Sequence, residues 1–261
     1  MKKKYFLIPL LLLVAVGVVA IQARASVDPS NKIETKSFNF SNFDEIRVTD
    51  SFDVEYVQST GNTWSVEVTA PDNIIPYVVV KRHEEGISLS LKGVSADKDF
   101  TLKAKIVAPA LEEINISGAS SFSANEINVH SLDLEASGAS SFNIKKIASS
   151  DLEIKLTGAS ATNIDGVDTG EFDLDLSGAS KADIKIKTGE ADVELSGASV
   201  ATLSGNVGNV EMEASGASTI NAKSFKANSG SLEASGASKI DANVANLRHQ
   251  RATGGSTINN N

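Results

Sequence analysis

The chain contains no cysteine. That excludes disulfides, thiol chemistry and a lipid-modified N-terminal cysteine, so stability has to come from the core alone. Aromatic residues are few and uneven. There is one Trp and there are three Tyr, and none of the four lies beyond residue 110, so the C-terminal half lacks flat platforms on which sugars stack. Positive charge is also short. A net charge of -9 repels nucleic acid and anionic headgroups, so no nucleic-acid partner is expected. Past the first residues there is no apolar run long enough to span a bilayer, no terminal segment of the outer-membrane barrel type and no convincing helical period.

What is present begins with an address. Lys2, Lys3 and Lys4 precede the apolar stretch from Phe6 to Ala20, and Ala23-Arg24-Ala25 offers an A-x-A cleavage pattern. Residues 1–25 therefore read as a signal peptide, with an uncleaved anchor as the rival because about 17 apolar residues approach the lower limit for a span. Cleavage removes four positive charges and no negative ones, taking the charge from -9 to -13. An exported protein is expected, in the periplasm, at the outer-membrane surface or outside the cell, with no membrane span after cleavage. Residues 26–36 read as a flexible linker.

One phrase dominates the remainder. "SGAS" or a close variant recurs with glycines at Gly118, Gly138, Gly158, Gly178, Gly197, Gly216, Gly236 and Gly254, spaced by 20, 20, 20, 19, 19, 20 and 18 residues. A period this regular marks a solenoid with one coil per repeat. Before each glycine the chain alternates, as in Phe172-Asp173-Leu174-Asp175-Leu176, and after it the alternation resumes, as in Ser140, Phe142 and Ile144. Period two means strands with one buried face. Each coil is expected to hold two short strands bent at Gly-Ala and a looser return segment. The fold class is all-β, a right-handed parallel β-helix, its hand taken from the crossover rule. Residues 111–261 form the repeat β-helix and residues 37–110 a divergent N-terminal β region that continues or caps the stack. Trp64, Tyr56 and Tyr77 read as its core or cap residues.

In such a stack equivalent residues lie about 4.8 Å apart and form columns. The glycine column is expected to need positive φ or a close backbone approach. The serines Ser120, Ser140, Ser160, Ser180, Ser199, Ser218, Ser238 and Ser256 are expected to face inward at the corner and hydrogen-bond along the ladder. A polar column, Ser123, Asn143, Asn163, Asp183, Thr202, Asn221, Asp241 and Asn259, suits ladders of the same kind. At the far end Asn260 stands where other coils mostly carry Ile, Leu or Ala, and a polar last coil blunts an edge that would template aggregation.

The strongest chemical constellation is acidic. One outward column runs Glu113, Asp133, Glu153, Asp173, Asp192, Glu211; its neighbour includes Glu135, Asp175, Glu194, Glu213 and Glu233. Paired carboxylates raise two ideas: general acid–base cleavage of a polysaccharide, and Ca²⁺ ligation by Asp133, Glu135, Asp173, Asp175, Asp192 and Glu194. Against catalysis, an active site is a departure from a repeat, whereas these pairs recur coil after coil. The preferred reading is a solvated face, its repulsion relieved by Lys155, Lys185 and Lys223 on nearby strands. A "GGxGxD" calcium nonapeptide is absent. His83, His130 and His249 are scattered and read as surface residues, and "SGAS" has no recurring His or Asp partner that would make its serines nucleophiles. The irregular places where an enzyme could hide are Asp165, Asp168 and Glu171, or His249 with Arg251.

The stretches "FNFSNFDEIRVTDSFDVEYVQS" and "VEVTAPDNIIPYVVVKRHEEGISLSLK", followed by iterated "SGAS" coils, resemble the putative auto-transporter adhesin, head GIN domain family, over about residues 37 to 258. The resemblance implies a right-handed β-helix and a surface or adhesion role, and it brings no catalytic residue. A translocator barrel is not seen in this chain. The expected function is a non-catalytic exported adhesin or envelope interaction module with a protein or glycan partner. The alternative is a carbohydrate-active β-helix enzyme. No cofactor is expected, apart from Ca²⁺ at the acidic columns.

Overall fold

A computed structural model of the chain describes residues 25–84, 86–95, 100 and 102–261. The expected signal peptide therefore lies outside the described residues, except for Ala25. The described elements are strands, apart from a single 3-10 turn at Ile75–Tyr77. They build a parallel β-helix whose register follows the repeat. Glu113–Ile116 pairs in parallel with Ser131–Ala136, which pairs with Asp151–Leu156, which pairs with Glu171–Leu176. This first sheet continues through the later coils. A second sheet runs from Ser121–Ala124 through Ser141–Ile144 into Ala161–Asp168 and onward.

Each coil has three β segments where two were expected. The return segments "KKIASS" and "DGVDTG" supply the third: Ile127–Asn128 pairs with Ile147–Ala148, and that pairs with Val167 and Asp168. Its only sequence signal is one buried residue per coil, such as Ile127 or Ile147, which is too short to show a period. In later coils the segments merge into continuous strands such as Lys181–Leu195 and Val200–Ala214.

The alternation sets the core. In Glu171–Leu176 burial reads exposed, buried, exposed, buried, exposed, buried. Val54, Phe122 and Phe142 occupy one inward column, and Tyr56, in the next inward column with Ala124, stacks on Phe122; ring centroids are 6.1 Å apart for Tyr56–Phe122 and 5.8 Å for Phe122–Phe142. Burial raises the Tyr56 hydroxyl pKa, and its proton is donated to the Ala108 carbonyl at 3.1 Å.

The corner explains the repeated phrase. Each glycine sits at positive φ, for example +77° at Gly178 and +72° at Gly197. A Cβ at Gly178 would lie 2.5 Å from the Gly158 carbonyl oxygen, so both reasons for glycine apply at once. The coils touch here through the backbone: Ala179 N–H donates to Gly158 O at 2.7 Å. Seven of the eight following serines are buried and Ser256 partly so, but most do not bond along the ladder. Ser140 Oγ donates to Ser137 O at 2.9 Å and Ser160 Oγ to Thr157 O at 2.8 Å, closing their own turns. A carbonyl three residues back lies within reach of a short hydroxyl side chain, so the local turn wins. Ser238 instead reaches Ala214 O in the previous coil at 2.9 Å, and the buried Ser199 Oγ has no partner.

The N-terminal region continues the stack and then caps it. Glu45–Val48 pairs in parallel with Glu113–Ile116, and Asp53–Gln58 with Ser121–Ala124, so Thr49-Asp50-Ser51-Phe52 occupies the place of a "SGAS" corner. Beneath them lie Gly86–Leu91 and Lys103–Ala108, also parallel. Antiparallel strands then close the end: Val78–His83 on the first sheet, Ser65–Pro71 and Ile33–Phe38 on the second. The last of these corrects the linker expected at 26–36, as does the pairing of Ala25–Ser26 with Val94–Ser95. Residues 33–37 are all exposed, so the strand carries no apolar alternation to read. At the other end the Asn260 side-chain amide accepts from Val244 N–H at 2.8 Å and donates to Val244 O at 2.9 Å, as a paired strand's peptides would.

Candidate functional site

Outward positions of the first sheet form the two acidic columns in register. The first begins one coil earlier than the repeats, running from Glu45 through Glu113, Asp133, Glu153, Asp173 and Asp192 to Glu211. The second is Arg47, Asn115, Glu135, Lys155, Asp175, Glu194, Glu213, Glu233 and Arg251. Four consecutive carboxylates, Asp175 to Glu233, are thus bracketed by Lys155 and Arg251. They line an open groove of about 490 Å³ beside the "SGAS" corner, with Ser177, Ser196, Ser215 and Ser235 along its other side.

Crowding shows in the protonation equilibria. Burial, then Glu153 and Glu113, raise the Asp133 carboxyl above its ordinary value. Burial, then Glu153 and Asp175, do the same for Asp173. Burial leads again at Asp192, followed by Glu194 and Asp173, and at Glu194, followed by Asp175 and Glu213. Each cause disfavours the ionised form. Of the three lysines expected to relieve this repulsion, only Lys155 does so: it stands in the column and pairs with Glu153. Lys223 pairs with Asp241 at 3.7 Å on another face, and Lys185 stands beside Ser204. The sheet register separates them from the acids, whereas linear spacing made them look adjacent.

The six Ca²⁺ candidates share this face: Asp133, Asp173 and Asp192 in the first column, Glu135, Asp175 and Glu194 in the second. Among the described residues no three His, Cys, Asp or Glu side chains converge as a metal-binding group. The enzyme-like outliers separate or stay exposed. Asp165 accepts from Asn163 at 3.4 Å, Asp168 pairs with Lys187 at 3.2 Å, and Glu171 opens a first-sheet strand, so these three share no site. His249 does meet the acids, at 3.4 Å from Glu233, which Arg251 adjoins in register. His130 contacts Ser150 Oγ at 3.0 Å. His83 is less exposed than expected, 3.7 Å from the buried Glu45. The polar column is in register and forms ladder bonds at Asn163–Asn143, 3.5 Å, and Asn259–Asp241, 2.7 Å. Bonds from Asn259 and Lys239 hold the Asp241 carboxyl below its ordinary value. Sequence reading missed Glu45 at the head of the first column and the Lys155–Arg251 bracket, although residue spacing alone carried the second.

The model of one family, described as "Putative auto-transporter adhesin, head GIN domain", matches residues 42–168 and again 153–261. Among solved structures, a putative adhesin from Parabacteroides merdae superposes with a TM-score of 0.79 at 19% identity, covering 92% of this chain and 100% of that one. A putative adhesin from Parabacteroides distasonis gives 0.80 at 18% identity, covering 90% and 100%. A putative lipid binding protein from the same species gives 0.64 at 16%, covering 91% and 100%. At these identities the likeness is one of fold. No curated protein matches the chain.

Proposed function

The chain belongs to the putative auto-transporter adhesin, head GIN domain family, and from that premise we propose that it is a non-catalytic, exported interaction module of the cell envelope. Its working surface is the groove lined by Asp175, Glu194, Glu213 and Glu233 and ended by Arg251. One observation carries this reading: the groove is lined by the same position taken from successive coils, Asp175, Glu194, Glu213 and Glu233. A reaction needs one constellation unlike its neighbours, whereas a repeated surface offers several equal weak contacts that add through multivalency. The partner is a protein or glycan carrying an extended array of cationic or hydrogen-bonding groups. The charged apolar leader at residues 1–25 supports export.

The test is a glycan array probed with the chain from residue 25 onward, followed by stepwise neutralisation: Asp175→Asn, Glu194→Gln, Glu213→Gln, Glu233→Gln. Binding should weaken by a similar factor at each step. Complete loss on one substitution would reveal a unique site and overturn the reading. So would turnover of a polysaccharide that disappears in Glu233→Gln, the carboxylate beside His249.

A further inference from the structure

Charge is sorted around the coil as well as along it. Between residues 131 and 234 the first-sheet segments carry thirteen carboxylates and one lysine, Lys155. The rest of those coils carries three carboxylates and seven lysines. Six of the seven gather where the second sheet turns into the third segment: Lys145 and Lys146, Lys185 and Lys187, Lys223 and Lys226. All six are exposed, and they come from alternate coils. In a three-sided coil this corner lies across from the first sheet. The molecule therefore has an acidic face and, opposite it, a lysine ridge.

From this arrangement we propose that the lysine ridge of one copy docks on the acidic first sheet of a second copy, side by side with parallel axes. The occupant follows from the pitch. Two copies share the same coil spacing of about 4.8 Å, so a lysine in every second coil arrives opposite a carboxylate whichever coils face each other. An unrelated cationic partner has no such match over several coils. Two of the ridge's own ion pairs do not compete strongly: Lys146–Glu126 at 2.7 Å and Lys187–Asp168 at 3.2 Å involve side chains all more than half exposed, and such pairs contribute little. Lys223 is the exception, held 3.7 Å from the buried Asp241, so the contact rests on the other five lysines. The acidic face gains more, because the column from Asp133 through Asp173 and Asp192 to Glu211 holds no cation and only Lys155 stands beside it. The two surfaces differ, so the contact is heterologous and extends into rows of molecules instead of closing as a dimer.

Sedimentation velocity on the chain from residue 25 onward, which holds every described element, tests the contact. Wild type should sediment as growing assemblies at about 20 mM salt and as monomer at about 500 mM, where screening is short-ranged. Reversal of the ridge (Lys145→Glu, Lys146→Glu, Lys185→Glu, Lys187→Glu) should give monomer at both. So should reversal of the face (Asp173→Lys, Asp175→Lys, Asp192→Lys, Glu194→Lys). Mixing the two variants should restore assembly, which a general loss of solubility or folding would not do. If one variant fails to fold, the salt titration and the other variant still decide. A wild type that stays monomeric at low salt, or assembles in high salt, overturns the proposal. A monomeric wild type that binds polylysine also overturns it and assigns the face to a cationic partner.

Discussion

The N-terminal region and the repeats make the same corner with different residues. At Thr49-Asp50-Ser51-Phe52 two non-glycine residues take positive φ, +66° at Asp50 and +67° at Ser51. The Asp50 carboxylate accepts from Leu91 N–H and Thr49 Oγ1, both at 3.0 Å. In the repeats a bare glycine does the work. The difference lies beneath each corner. Under the first one the Asp50 side chain meets the end of strand Gly86–Leu91 and hydrogen-bonds locally. Under every later corner another glycine carbonyl stands 2.4–2.7 Å from where a Cβ would be, once Gly118, which rests on Asp50 at 3.2 Å, is passed. Strain is tolerated once; iteration requires its removal.

The sharpest way to break this comparison is at the seam. Phe122 lies between Tyr56 of the N-terminal coil and Phe142 of the repeats. Phe122→Ala should cost about 3–5 kcal/mol and split thermal unfolding into two transitions, because it hollows the contact that joins the regions. A single sharp transition would show that the backbone ladder alone couples them. Next in size is a pair of glycines with φ of +77°. Gly178→Ala combines the conformational cost with a contact 2.5 Å from Gly158 O, while Gly93→Ala meets nothing within 4 Å. Chemical denaturation should give about 2–4 kcal/mol for the first and about 1 kcal/mol for the second. Equal losses would mean that the stacked corner relaxes freely.

Smaller effects separate the serines. Ser160→Ala removes a bond to Thr157 O and should cost about 1 kcal/mol, while Ser199→Ala removes a hydroxyl without a partner and should be neutral or stabilising. The acidic face adds a pH dependence. Carboxyls at Asp133, Asp173, Asp192 and Glu194 have folded pKa values raised above the unfolded ones. Their contribution is fully present below the ordinary carboxylate value near 4 and is lost as pH rises through the raised values. Melting temperature should therefore climb as pH falls from about 7 toward about 4.5, and Asp173→Asn with Asp192→Asn should flatten that slope. Asp241 acts in the opposite sense, losing its contribution only as pH falls through its depressed value. The smallest expected effect is metal discrimination. With no three ligands converging among the described residues, Ca²⁺ and Mg²⁺ at equal concentration should raise the melting temperature alike. A Ca²⁺-specific rise would place a defined site on the columns.

Much of this was legible because a solenoid writes its tertiary structure in its period. The glycine spacings set the coil, and the alternation around residues 171–176 set the buried face and hence the acidic columns. What stayed hidden had no periodic signal. The third segment shows one buried residue per coil. Ile33–Phe38 is exposed along nearly its whole length and is held by ladder bonds to Ser65–Pro71. The corner serines from Ser120 to Ser238 are buried, but whether a hydroxyl bonds its own turn or the previous coil depends on distances of a few tenths of an ångström.

Composition and spacing by themselves determined a cysteine-free β-helix with a glycine corner and two acidic columns, because equivalent positions in a stack must meet. Only the tertiary structure decided which residues meet across the coil and between distant segments. Backbone pairing brought Glu45 to the head of the first column, set Arg251 against Glu233, and turned six lysines to the side away from the acids. A linear repeat specifies which side chains form a column, whereas the closing of each coil in three dimensions decides what that column faces.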